Sequence, residues 1–211
     1  MSDQKKHWNA VISSSDVFHS TESQTDFAEE VLSHISNEST ILELGCGIGA
    51  DAELFAKAGN HIVATDFSDV AIQKAIEISP KIDRLTFAVM DMTEPFPYQD
   101  NSFSVVYARL SLHYFSDSIT RSIIKEIHRV LKPGGKLFFL CKSTNDSLYG
   151  EGEKMGMDMY KRKGKIRHFF SERYCRKILN ELFMIEHIVE HKKVVYTRDS
   201  VVIRVFAQSK K

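Results

Sequence analysis

The run Ile41-Leu42-Glu43-Leu44-Gly45-Cys46-Gly47-Ile48-Gly49-Ala50 constrains this chain most, because an apolar strand passes directly into a turn with glycine at three alternate positions. Glycine buries nothing and loses the most chain entropy on folding, so its use here implies positive φ angles or a close approach of bare backbone to a ligand. Val63-Ala64-Thr65-Asp66 then supplies a second apolar run ending in a carboxylate. A glycine turn followed by an acidic residue one strand later is the crevice of a nucleotide-like cofactor at the carboxyl edge of a parallel sheet.

The remaining pattern agrees with such a sheet. Phe27, Val31, Leu32 and Ile35 stand at helical spacing behind Thr25, a candidate N-cap, whereas Ser13-Ser14-Ser15-Asp16 reads as loop. Strands are expected over 40–45, 61–66, 84–90 and 103–108, and helices over 50–57, 69–78 and 118–131. Lys132-Pro133-Gly134-Gly135 stops the last helix, because proline cannot continue it and glycine tolerates the reversal, and a fifth strand follows over 136–141. This alternation implies an α/β, doubly wound and mostly parallel sheet.

Beyond the fifth strand, 143–167 is polar, carries Gly150, Gly152, Gly156 and Gly164, and keeps no period. It reads as an excursion over the sheet edge with a short helix near 155–163. Ser171 is placed to cap another helix through Tyr174, Ile178, Leu179 and Leu182. The runs 184–189 and 201–207 are joined by too few residues for a helical crossover, so they are expected to pair antiparallel as a terminal hairpin.

A length of 211 residues favours one domain, and Lys+Arg 28 against Asp+Glu 28 leaves no global field to gather nucleic acid or an anionic membrane. Cys46, Cys141 and Cys175 are widely separated with no CxxC spacing, which fits a reducing, cytoplasmic setting and indicates neither a disulfide framework nor a metal site. The polar N-terminus has no apolar signal segment behind it, and no run reaches membrane-spanning length.

By itself the glycine turn also satisfies the looser dinucleotide fingerprint, as Gly45-x-Gly47-x-x-Ala50. Four further features accompany it. Glu43 precedes the first glycine, Asp66 ends the second strand, Asp91 ends the third in Val89-Met90-Asp91-Met92, and Lys132 to Gly135 lead into the fifth. Together with the terminal hairpin these resemble the class I S-adenosylmethionine-dependent methyltransferases, of the small single-domain type 11/25 kind, over about 25–208. The resemblance implies a seven-stranded Rossmann-like sheet, S-adenosyl-L-methionine as cofactor, and methyl transfer to a small-molecule acceptor. It assigns the cofactor to Glu43, Gly45, Cys46, Gly47, Gly49, Asp66, Phe67, Asp91, Met92 and Ala108. In that assignment Asp66 accepts from the ribose hydroxyls, Asp91 accepts from the adenine amine, Met92 and Phe67 flank the adenosine, and Glu43 orders the turn.

Groups leaving the fourth strand lie nearest the reacting methyl, which selects Arg109, Ser111, His113 and Tyr114. His113 is the candidate base or acceptor-orienting group, because imidazole takes a proton near neutral pH. Residues 1–24, with Trp8 and Phe18, read as an arm or lid over a domain spanning 25–211, and 143–170 as a substrate cap in which basic and aromatic residues interleave. The chain has no Asn/Asp-Pro-Pro-Tyr segment after the fourth strand and no Pro-Cys nucleophile, which disfavours a nucleic-acid substrate. Two alternatives stand beside this reading. One is an NAD(P)-dependent oxidoreductase with Asp66 on the adenosine ribose, although no Tyr-x-x-x-Lys appears centrally; the other is a non-catalytic S-adenosylmethionine-binding protein.

Overall fold

The computed structural model describes residues 3–14, 26–79, 81–195 and 198–211. Two helices, α1 (Asp3–Ser14) and α2 (Asp26–Leu32), precede β1 (Thr40–Leu44), α3 (Ala50–Lys57), β2 (His61–Asp66), α4 (Asp69–Ile78) and β3 (Leu85–Val89). Then come β4 (Phe103–Arg109), α5 (Asp117–Val130), β5 (Leu131–Lys142), and three short strands, β6 (Glu153–Gly156), β7 (Met159–Arg162) and β8 (Lys165–His168). The helix α6 (Glu172–Leu179) leads to β9 (Phe183–Val195) and β10 (Arg198–Ser209).

Seven strands form one sheet in the order β3-β2-β1-β4-β5-β10-β9. The first five are parallel, and β10 runs antiparallel to both β5 and β9. Central strands are buried on both faces, which is why β1 and β4 read as near-continuous apolar runs. Alternate residues serve opposite cores. Leu42, Val106 and Phe139 pack with Ile123 and Ile127 of α5 and Ile178 of α6, while Ile41, Val105 and Phe138 pack with Phe27 of α2 and Phe55 of α3.

The Lys132 to Gly135 turn does more than stop α5. The chain is extended by Leu131, and β5 then bulges, since Phe103 faces Leu131 but Val105 faces Lys136. Gly134 takes φ +69°, and a Cβ on Gly135 would stand 2.9 Å from the Lys132 carbonyl oxygen.

Two local expectations are corrected. The stretch expected to hold a helix near 155–163 is a three-stranded antiparallel sheet, β6-β7-β8. Its turns need left-handed backbone at Asp158 (φ 54°), Lys163 (φ 50°) and Gly164 (φ 79°), which breaks any helical path. Upstream, Ser13 and Ser14 belong to α1 and not to a loop, because Ile12 is held against Ile48 and Ala71 and draws the helix onto the domain. Ser15, Asp16, Phe18 and the candidate cap Thr25 lie outside the described residues. Among the described residues no helix is long and apolar enough to cross a membrane.

Candidate functional site: the cleft at the carboxyl ends of β1 to β4

The glycine turn is pinned to the neighbouring strand. The amides of Gly45 and Cys46 both donate to the Thr65 carbonyl (2.8 and 2.9 Å), and the Thr65 hydroxyl donates to the Glu43 carbonyl (2.7 Å). Gly45, Gly47 and Gly49 adopt φ +80°, +57° and +88°, yet their surroundings differ. A Cβ on Gly45 would stand 2.5 Å from Ser111 Cβ, and one on Gly49 would enter the Phe87 ring at 2.6 Å. At Gly47 such a Cβ would meet no heavy atom within 4 Å. Gly45 and Gly49 are therefore demanded by packing, whereas Gly47 opens onto a cavity. Gly49 also starts α3 without any side-chain cap, leaving the positive end of that helix beside the turn.

Asp66, at the end of β2, is buried and ties the two loops together. Its Oδ2 accepts from the Gly47 amide (3.0 Å) and its Oδ1 from the Ser68 amide (2.9 Å). Burial pushes its carboxyl above the usual range, while the amides of Ser68, Gly47 and Phe67 pull it back. Each oxygen still has capacity for a further donor. Ser68 is the N-cap of α4, accepting from the Ala71 amide (3.0 Å), so Asp66 is released from that duty. At the end of β3, Asp91 Oδ1 accepts from the Thr93 amide (3.0 Å) and hydroxyl (2.7 Å).

These residues line a cavity of about 370 Å³. Gly45, Cys46, Gly47, Asp66, Phe67, Asp91 and Met92 lie on one side, and Arg109, Ser111 and Tyr114 on another. Glu43, Gly49 and Ala108 sit behind the lining, with Ala108 fully buried in the core beneath it. Contributions from Trp8 and Ile12 of α1, and from Met159 and Ile166 of the small sheet, complete the wall. Trp8 carried a sequence signal as an isolated aromatic in a polar arm. Met159 and Ile166 carried none, since they become neighbours only through the β7–β8 pairing.

Beneath the end of β4 lies a buried charged network. Asp51 Oδ2 accepts from Tyr107 Oη (2.9 Å) and from Arg109 Nε (2.5 Å). Glu43 is beside it, and burial together with Asp51 holds the Glu43 carboxyl well above the usual range, with Arg109 opposing and Asp66 adding. Cys46 faces the same carboxylates; burial, Glu43 and Asp66 raise its thiol, which keeps it from acting as a thiolate. At the strand's end Leu110 is left-handed (φ 54°) and its amide donates to the Leu140 carbonyl (2.7 Å). Ser111 Oγ is buried without a hydrogen-bond partner among the described residues.

His113 and Tyr114 part company here. Tyr114 lines the cleft, while His113 is only 1% exposed and faces a second cavity on the far side of Tyr114. Their rings pack at 4.4 Å. Burial, then Arg167, Lys142 and His168, hold the His113 imidazole well below its usual range, so it is neutral.

Residues 41–135 match a family described as a methyltransferase domain. Over 144 residues the chain is 33% identical to phosphoethanolamine N-methyltransferase 1 of Triticum aestivum, a match covering 67% of this chain. The chain spans 27% and 26% of the lengths of that relative and a second wheat phosphoethanolamine N-methyltransferase. Among solved structures, a SAM-dependent methyltransferase of Methanosarcina mazei superposes with a TM-score of 0.75 at 23% identity, covering 85% of this chain and 96% of that one. The 1,6-didemethyltoxoflavin-N1-methyltransferase of Burkholderia thailandensis, solved with 1,6-didemethyltoxoflavin and S-adenosylhomocysteine, has a TM-score of 0.72 at 16% identity, covering 93% and 82%. These two likenesses establish the fold.

Proposed function

Because the chain belongs to the class I S-adenosylmethionine-dependent methyltransferases, we propose that it binds S-adenosylmethionine in this cleft and transfers the methyl group to a small-molecule acceptor. The observation that carries the reading is Gly47: left-handed, open for 4 Å around its missing Cβ, and bonded through its amide to Asp66. That is a backbone cradle beside a buried carboxylate with acceptor capacity to spare.

In this reading Asp66 receives the ribose hydroxyls and Asp91 the adenine amine, with Phe67 and Met92 along the ring. Glu43, behind the lining, holds the turn in shape. When bound, the cofactor supplies a sulfonium methyl already activated for displacement, so the chain's task is to align an acceptor and exclude water. Tyr114 and Arg109 stand where the acceptor would approach, and Asp51 fixes the Arg109 guanidinium. His113, neutral and packed on Tyr114, acts as the positioning residue for that ring. A small acceptor suits a cavity of about 370 Å³ that the cofactor must share. A cytoplasmic setting belongs to the same reading, supported by three cysteines that form no disulfide.

Titration calorimetry with S-adenosylhomocysteine, NADH and NADPH tests the cofactor. Saturable binding of S-adenosylhomocysteine alone is expected, and binding of a nicotinamide nucleotide in its place would overturn the assignment. Methyl transfer to a panel of small amines, alcohols and thiols then tests the activity.

The arm α1 is assigned as a lid. Trp8 meets Tyr114 edge-on at 5.3 Å, Lys165 Nζ stands 4.9 Å over the indole, and Lys5 pairs with Asp69 at 3.2 Å. Trp8→Ala is expected to weaken S-adenosylhomocysteine binding roughly tenfold through loss of a half-buried aromatic wall, while unfolding of the domain is unchanged. Unaltered affinity would remove the lid role.

A further inference from the structure

Behind Tyr114 lies the second cavity, of about 260 Å³, which adjoins the cofactor cleft along Leu110 and Tyr114. Five cations line it, Lys142, Arg162, Lys163, Lys165 and Arg167, and no carboxylate does among the described residues. Two of the five are balanced from behind. Lys142 is bonded to Asp146 (2.9 Å), and Arg162 to Glu151 (2.7 Å). For Lys163, Lys165 and Arg167 there is no ion pair among the described residues. Arg167 Nε is buried without a hydrogen-bond partner there, and so is Nδ1 of His113 in the same wall.

The strand pairing explains how the cations gather. Tyr160 faces Arg167 and Arg162 faces Lys165 across β7 and β8, so Arg162, Lys165 and Arg167 share one face of the small sheet. The residues between them belong to the other face, and from it Met159 and Ile166 line the cofactor cleft. The left-handed Lys163-Gly164 turn then brings Lys163 to the same cavity. The small sheet stands between the two cavities, with Met159 and Ile166 lining the cofactor cleft and Arg162, Lys163 and Arg167 the second cavity, while Lys165 lines the second cavity and also reaches the Trp8 indole in the wall of the cleft.

Like charges held together in a partly desolvated space, with the buried Nε–H of Arg167 unpaired, oppose folding unless an anion joins them. We propose that this cavity binds the phosphate group of a phosphomonoester, and that the methyl acceptor is a small phosphorylated molecule whose nucleophilic atom reaches past Tyr114 into the cofactor cleft. Three unbalanced cations match a dianion better than a single carboxylate, and Arg167 supplies a guanidinium fork for it. Only the identification of the occupant as methyl acceptor rests on the proposed function; the anion site stands on its own residues.

The test is titration of the S-adenosylhomocysteine-loaded protein with inorganic phosphate, and with acetate in parallel. Phosphate is expected to bind with a Kd of roughly 1 mM or tighter, and acetate at least about tenfold more weakly. Arg167→Gln should weaken phosphate binding about tenfold, with partial recovery in Arg167→Lys. Lys163→Gln, on an exposed turn whose loss does not unfold the chain, should weaken it severalfold. Lys192→Gln, an equal charge change on the exposed edge of β9, should leave it unaltered, and S-adenosylhomocysteine affinity should hold throughout. Acetate binding as tightly as phosphate would overturn the phosphomonoester assignment. Normal S-adenosylhomocysteine binding with no saturable phosphate binding would overturn the site while leaving the cofactor reading intact, and failure to bind S-adenosylhomocysteine would strike the proposed function alone.

Discussion

Gly45→Ala and Gly47→Ala are expected to fail in opposite ways, although the two positions are two residues apart in one turn. At Gly45 the added methyl would stand 2.5 Å from Ser111 Cβ in backbone at φ +80°. Left-handed strain of about 1–2 kcal/mol adds to an overpacking penalty of about 1–3 kcal/mol. The ligand-free protein should lose roughly 5–15 °C in Tm for a chain of this size. At Gly47, φ +57° is a left-handed angle that alanine tolerates at modest strain, and nothing lies within 4 Å. There Tm should fall by only about 2–5 °C, while the methyl occupies the cradle and weakens S-adenosylhomocysteine binding by at least about tenfold. Thermal scans with and without ligand check both. Equal thermal losses with equal binding losses would mean that the turn is shaped by packing alone.

The second large effect concerns the carboxylates beneath the cleft. Asp51→Ala deletes the acceptor that Tyr107 Oη and Arg109 Nε share. Breaking a buried pair by removing one partner destabilises by about 3–5 kcal/mol, a large share of the total stability of an ordinary domain. Glu43→Gln is expected to act with the other sign. Burial and Asp51 raise the Glu43 carboxyl, so the folded chain keeps a proton that the unfolded chain releases above about pH 4.3. Stability contributed by such a group is present below the unfolded value and is lost as pH rises toward the folded one, at up to about 1.4 kcal/mol per pH unit. Glutamine is neutral throughout. The variant should therefore match the parent near pH 4 and exceed it in urea midpoint at pH 7. A variant less stable than the parent at pH 7 would show that Glu43 is held ionised by Arg109.

Much of this architecture is legible in the residues, and the exceptions have physical causes. Strands β1, β2, β4 and β5 are buried on both faces, so each appears as an apolar run needing no partner to be recognised. The small sheet is different. Its strands are four residues long, half exposed and rich in lysine and arginine, and its turns place Asp158 and Lys163 at positive φ where asparagine or glycine is the usual sign. Nothing local distinguishes it from loop. At the site, the residues at strand ends could be read because a parallel sheet brings its carboxyl ends together whatever the loops do. The direction of a side chain just past a strand could not. His113 and Tyr114 are adjacent in sequence, yet across a turn of three residues, Leu112–Tyr114, Tyr114 comes to line both cavities while His113 lines only the second. Likewise, basic and aromatic residues interleave along 143–170 without showing which of them face a ligand; in the fold Tyr149, Tyr160 and Phe169 pack on one another, and Arg162, Lys163, Lys165 and Arg167 line the second cavity.

The placement of β10 sets an order of events during synthesis. It follows β9 in the chain but lies between β9 and β5, with Ile203 opposite both Cys141 and Glu190. A ribosome delivers β5 well before β10 exists, so the open flank of β5, with Phe138, Phe139 and Leu140, waits unpaired while some sixty residues are added. Such an edge is where one nascent chain adheres to another. The edge of β5 is covered only when β10 pairs with it and brings β9 along as the outer strand, and a ribosomal pause upstream of residue 198 would lengthen the interval in which β5 is exposed.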